Sequence, residues 1–325
     1  MFRALALVVL TIGLAACGDR SDRAPFAESR VPPSLAGRFF PPEGWAWGYV
    51  QSGAAPPLRY GVAAPRGVPR AQLLIVVGAG ETAEAWFETV RQLNEAGFTV
   101  WVLERAGQAG SGRFASPREL VHAPSLDPDI NAVKAMARLI IRAGPGSCLV
   151  LMAERDAAPV VLAALDRHVE AGGLILSSPE FSPPGAAETP GEAFLRRLGL
   201  AQAKPVGWRP WSRDQPQDEA ADPWRGGVQH AWQAANPDLR MSGESIGWRQ
   251  ALREAGAAAR RRAPSIAVPT LMIVGRPPSR QAAEVCKAMP RCRRVTVDGA
   301  PPAFHLEPDR RRKPWLDAIA AFVGG

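Results

Sequence analysis

Lysine is scarce in this chain: of 39 basic residues four are Lys (Lys134, Lys204, Lys287 and Lys313) and the rest are Arg. Histidine and cysteine number four each. The His residues (His122, His168, His230 and His305) share no ligand spacing with one another or with Cys, so no metal or other cofactor is expected. Low-complexity tracts and collagen-like periods are missing, which excludes disordered and fibrous proteins. Long apolar runs are missing too, except at the extreme N-terminus, and this excludes a polytopic membrane protein. The net charge of +8 is scattered through periodic segments instead of gathered in one arm, and no nucleic-acid-binding signature accompanies it. Nucleic acid is therefore not an expected partner. What is present, 46% hydrophobic and 22% charged over 325 residues, is ordinary globular composition with length enough for a full core.

The N-terminus reads as an address. Met1-Phe2-Arg3 gives a positive start, and Ala4 to Leu14 is apolar apart from Thr11 and Gly13. That run falls short of the ~20 residues a spanning helix needs but fits the core of a secretory signal. It ends Leu14-Ala15-Ala16-Cys17, which resembles the cleavage box of bacterial lipoproteins. The resemblance implies a signal peptide over 1–16, lipid on Cys17, and a polar tether over 17–36. The expected partner is then a bacterial membrane, held through a lipid anchor with the protein facing the periplasm. Gly18 directly after the Cys points to the outer membrane by the sorting pattern of such lipoproteins. An ordinary signal peptide that happens to end near a Cys is the alternative. Export would permit a disulfide between Cys286 and Cys292, although two thiols pointing apart would have the same spacing. Cys148, at the head of an apolar run, reads as a buried core thiol.

Along the mature chain, short apolar runs alternate with helical periodicity. The expected strands are Leu73 to Val77, Phe98 to Leu103, Cys148 to Met152, Gly173 to Ser177, Thr270 to Val274 and Arg294 to Val297. Trp45 to Gln51 and Leu58 to Ala63 read as antiparallel edge strands. The alternation predicts an α/β fold with a mostly parallel, doubly wound sheet formed by residues 37–180 and 265–325. Residues 181–264 have no strand run and hold five of the ten Trp, which predicts a helical cap insertion.

Local wording then carries a resemblance. Gly78-Ala79-Gly80-Glu81, the loop from Glu104 to Arg113, Leu176-Ser177-Ser178-Pro179, Asn236-Pro237-Asp238-Leu239 and Gly299-Ala300 occur in the order found in the α/β-hydrolase fold. They are similar to its lysophospholipase and monoacylglycerol-lipase branch, the serine-aminopeptidase-like hydrolases. The resemblance implies a nucleophile on the turn after Cys148 to Met152, a catalytic acid after Val274-Gly275, and a catalytic His soon after Gly299-Ala300. Those positions read Arg155, Pro277 and Pro302. A guanidinium stays protonated and has no lone pair with which to attack an ester. No catalytic residue is therefore expected at the usual site.

Relocated chemistry is the alternative. Gly243-Glu244-Ser245-Ile246-Gly247 satisfies the nucleophile pattern literally but follows no strand, Ser177 ends a strand, and His305 lies three residues past the family's His position. The functional expectations are an inactive hydrolase-like lipoprotein that binds an acyl lipid or an envelope protein, and, against it, a divergent ester hydrolase using Ser245 or Ser177 with His305. Arg155 would either grip an anionic ligand at a helix start or pair internally with Glu81, Glu104, Glu154 or Asp156.

Overall fold

The computed structural model describes residues 24–51, 53–141, 143, 147–183, 187–214, 220–275, 279–299 and 303–324. Cys17, Pro277 and Pro302 lie outside these residues.

Among these residues eight strands form one sheet: β1 (Ala46–Val50), β2 (Leu58–Ala63), β3 (Ala71–Val76), β4 (Phe98–Leu103), β5 (Cys148–Glu154), β6 (Gly173–Ser177), β7 (Thr270–Gly275) and β8 (Cys292–Val297). Their order is β1-β2-β4-β3-β5-β6-β7-β8. β2 pairs antiparallel with both β1 and β4, and every later pairing is parallel. The continuous apolar runs have the expected cause: residues of β3 and β5 to β7 are buried on both sheet faces. Leu74 and Val76 face one apolar cluster, while Leu73, Ile75 and Val77 face another.

The helices are α1 (Phe87–Glu95), α2 (Asp127–Ala135), α3 (Ala158–Asp166), α4 (Pro190–Arg197), α5 (Pro223–Gly226), α6 (Val228–Ala235), α7 (Ile246–Arg262), α8 (Arg280–Ala288) and α9 (Asp309–Gly324). α1 and α9 cover one face through Val90, Leu93, Trp315 and Ile319. α2, α3 and α8 cover the other through residues such as Ile130, Val160 and Val285. The chain is thus an α/β protein with helices on both sides of a mostly parallel sheet.

Between β6 and β7 the described residues form helices and no strand. Within that block α7 joins the apolar cluster of α3 through Trp248, Leu252 and Ala259. The approach is close: a Cβ on Gly256 would lie 1.8 Å from the Phe181 carbonyl oxygen, so only Gly fits there. α6 instead packs Val228 and Trp232 on Phe39 and Phe87, tying the block to the N-terminal segment. α4 begins with a capping box from Thr189 and Glu192 and leaves Phe194 exposed.

Two cysteine expectations meet the structure differently. Cys286 and Cys292 are bonded, with Cα atoms 5.3 Å apart, joining the end of α8 to the start of β8. Cys148 is exposed and not a core thiol. Burial along β5 begins one residue later, at Leu149.

Candidate functional site

In open α/β sheets, ligands bind beyond the carboxyl ends of the strands. Here the ends of β3, β5 and β6 and the loop after β8 bring together Glu81, Glu154, Arg155, Ser177 and His305. β5 runs two residues further than the expected Cys148 to Met152, so Glu154 is its last residue, opposite Ser177 of β6.

Arg155 follows on the sharp turn into α3, with φ of +48°. A non-Gly residue in the left-handed region costs energy, and strand-to-helix nucleophile turns of this fold store that strain. Ala153 and Ala157, both fully buried, give the turn its room. Arg155 Nε lies 3.3 Å from Glu180 Oε1 and Nη1 lies 3.9 Å from Glu81 Oε1, while its carbonyl accepts the Glu180 N–H. Glu81 is thus one of the four acids expected to pair with it, and Glu180, two residues past Ser178, is the one sequence reasoning missed. Glu104 and Asp156 are engaged elsewhere. Burial alone would lower the Arg155 pKa, but Glu180, Glu81, Asp156 and Glu154 outweigh it and hold the guanidinium charged.

The loop after β3 supplies the amide that a hydrolase of this fold aims at an oxyanion. The Ala79 N–H donates to Asp156 Oδ1 at 2.7 Å. Asp156 is itself buried and pairs at 3.1 Å with Arg105, which pairs at the same distance with Asp129. The protein's own carboxylate therefore occupies the amide, and a buried ion network fixes it there.

The worn loop after β4 explains its surviving letters structurally. Glu104 accepts from Arg59, from the Ala83 N–H and from the Gly110 N–H. Gln108 accepts the Gly80 N–H, and Ser111 accepts the Arg59 N–H. These bonds brace the segment that carries Ala79 and need no substrate.

Beneath Arg155 lies a less satisfied group. Burial pushes the Glu81 carboxyl up to about 7, against the Arg155 charge and hydrogen bonds from the Gly78 N–H and Trp86 Nε1. Burial and the Glu81 charge push Glu154 well above its ordinary value, although the Ser177 hydroxyl favours its charged form. Neither Glu154 oxygen completes a hydrogen bond of good geometry. His305 is buried, stacks on Trp86 at 4.1 Å, and leaves both ring nitrogens unpartnered. Burial, with Arg312 and Arg155, holds it well below the usual imidazole range, so it is neutral.

No hydrogen bond joins His305 to either of the alternative nucleophiles, Ser177 and Ser245. Ser177 is buried and accepts from Trp315 Nε1 at 3.1 Å. Ser245 is the N-cap of α7, accepting the Trp248 N–H at 3.1 Å, and is completely buried. Its hydroxyl also lies 2.7 Å from His122 Nδ1. No spacing linked these two residues 123 apart; an isolated bridge between Val121 and Glu244 sets them side by side. A cavity of about 500 Å³ opens nearby, lined by Pro205, Trp208, Arg209, Gly243 and Glu244.

No curated protein matches the chain by sequence. Solved structures share the fold. A monoacylglycerol lipase from Paleococcus ferrophilus is 15% identical with a TM-score of 0.61, over 82% of this chain and 98% of that one. A soluble variant of monoglyceride lipase from Saccharomyces cerevisiae, bound to a substrate analog, is 14% identical with a TM-score of 0.63, over 87% and 96%. A thermostable carboxyl esterase from Bacillus coagulans, bound to glycerol, is 14% identical with a TM-score of 0.64, over 87% and 99%. The family described as Serine aminopeptidase, S33 matches residues 67–289, more than two thirds of the sequence. With its strand order, its elbow after β5 and this match, the chain belongs to the serine aminopeptidase S33 family of α/β-hydrolases.

Proposed function

We propose that this chain is a hydrolase-fold protein without serine hydrolase activity, lipid-anchored through Cys17 to the bacterial envelope, where it faces the periplasm and binds or scaffolds. The observation that carries the reading is the elbow: Arg155 stands where the nucleophile belongs, and Asp156 takes the Ala79 amide. Losing a triad member alone leaves residual rate from the oxyanion hole and binding. Here the hole is filled as well, so that residual is removed too. The sequence adds Pro277 and Pro302 at the other two family positions. The acids around Arg155 support its internal pairing over a grip on an anionic lipid. An acyl lipid or an envelope protein would therefore be held elsewhere, and the cavity beside Gly243 and Glu244 is the first place to look.

Anchoring rests on the charged start, the apolar run and the small-small-Cys ending at residues 1–17. Its test is Cys17→Ser, which should lose labelled palmitate and leave the outer-membrane fraction; unchanged labelling would sink it. For the chemistry, purified protein should show no turnover of monoacylglycerol or lysophospholipid.

A relocated hydrolase is the second reading, favoured by the short bond between His122 and Ser245. Against it, the Ser245 hydroxyl is wholly buried and already caps α7. Turnover that disappears in Ser245→Ala or His122→Ala would establish this second reading over the first.

A further inference from the structure

We propose that Glu81, Glu154 and His305 form a binding site for one divalent transition-metal ion, of which zinc is the natural probe. The side chains come from the loop after β3, the end of β5 and the turn after β8, and one ligand atom from each lies within 4.8 Å of the others. Two carboxylates and one imidazole are a donor set that zinc accepts, with a fourth position left open.

The site is distinguished from a chance acidic cluster by what it leaves unmade. Neither Glu154 oxygen completes a hydrogen bond of good geometry, the Ser177 hydroxyl being its polar neighbour, and neither His305 ring nitrogen has a partner, in residues 0% and 2% exposed. Buried polar atoms are otherwise nearly always paired, and an unpaired one costs about 1–3 kcal/mol. A metal ion would satisfy atoms of both side chains at once. Trp86, stacked on His305 and bonded to Glu81, holds two of the three ligands in their present orientation, as outer partners of metal ligands do.

Charge points the same way. Glu81, Glu154, Asp156, Glu180 and Glu244 all bear on Arg155. Two further cations reach the region: Arg105, already shared between Asp156 and Asp129, and Arg312, which bears on His305 and donates to its carbonyl and to Thr89. The region is short of positive charge, and a dication with Glu81 and Glu154 makes a neutral centre while leaving Arg155 to Glu180. Bond lengths of ~2.0–2.2 Å require the ligand atoms to close to about 3.4 Å apart, roughly an ångström of side-chain movement. The His and Cys spacings in the sequence could not show this site, because its ligands are 73 to 224 residues apart in the chain.

The inference is independent of whether the chain hydrolyses esters. Full-length protein freed of metal by chelator should take up one equivalent of Zn²⁺ in calorimetric titration. Co²⁺ in its place should give the visible bands of a four- or five-coordinate ion. Glu154→Gln and His305→Gln, shown folded by near-ultraviolet circular dichroism, should each weaken binding by more than ~100-fold, the upper end of the loss when an outer partner is removed. If either variant fails to fold, the native chain still decides: no retained ion after gel filtration, or cobalt bands of a six-coordinate ion, overturns the site. So does Zn²⁺ binding that both folded variants keep at full affinity, since the ion would then sit elsewhere.

Discussion

Two buried clusters in this protein use the same ingredients to different ends. Around Arg59, Glu84 and Glu104 are paired at 2.8 and 2.6 Å, with all three side chains wholly buried. Glu104 spends its remaining capacity on the Ala83 and Gly110 amides, and apart from Arg59 Nη1 the arginine's donors are used. Around Arg155, an arginine again meets glutamates, but its contacts are longer, its side chain is 29% exposed, and neither the Glu154 oxygens nor the His305 ring nitrogens complete a hydrogen bond of good geometry. The first cluster is closed and braces the loops. The second is open, and at the carboxyl edge of a parallel sheet that is where a ligand site belongs. Completeness of pairing, more than the presence of charge, separates scaffold from site.

The largest expected effect comes from breaking the closed cluster. Arg59→Ala strands two buried carboxylates and should cost about 3–5 kcal/mol in denaturant unfolding. Arg155→Ala should cost less than half of that, because its pairs are longer and part-exposed. Equal losses would erase the contrast.

Ser245→Ala comes next. It removes the α7 cap and the bond to His122, and about 1–2 kcal/mol of stability should go with them.

The smallest effect is a pH dependence of the chelated protein. Glu81, raised to about 7, takes up its proton in the folded state while the unfolded carboxyl stays ionised down to ordinary values. More protons are then bound folded than unfolded, so stability should rise as pH falls from 8 to 6.5, by about 0.4 kcal/mol once the proton that an unfolded His305 takes up over the same range is set against the gain from Glu81. That corresponds to roughly 1–2 °C in Tm. Below 6.5 the gain should flatten, because an unfolded His305 takes up a proton that the buried one refuses. A Tm that falls steadily from pH 8 would show that Glu81 is ionised throughout.

The sheet was legible in the sequence because strands buried on both faces must be largely apolar, as Leu73 to Val77 and Gly173 to Leu176 are. The elbow was legible because a tight strand-to-helix turn demands small residues on either side, here Ala153 and Ala157. The occupants of the site were not. Asp156 reaches Ala79 across 77 residues, and the sheet register alone makes them neighbours. Glu180 meets Arg155 because the chain after Ser178, at φ of +44°, returns over the elbow. Cys148 was misread for a simpler reason: an apolar run shows that a strand is buried, not which of its ends is open.

The central claim is that the elbow is closed to nucleophilic chemistry. Its most direct test is intact mass spectrometry of the full-length protein and its Arg155→Ser variant after treatment with a fluorophosphonate probe. Both should remain unlabelled, the variant because Asp156 still holds the Ala79 amide. A stoichiometric adduct on the Arg155→Ser variant that the native chain lacks would contradict the account.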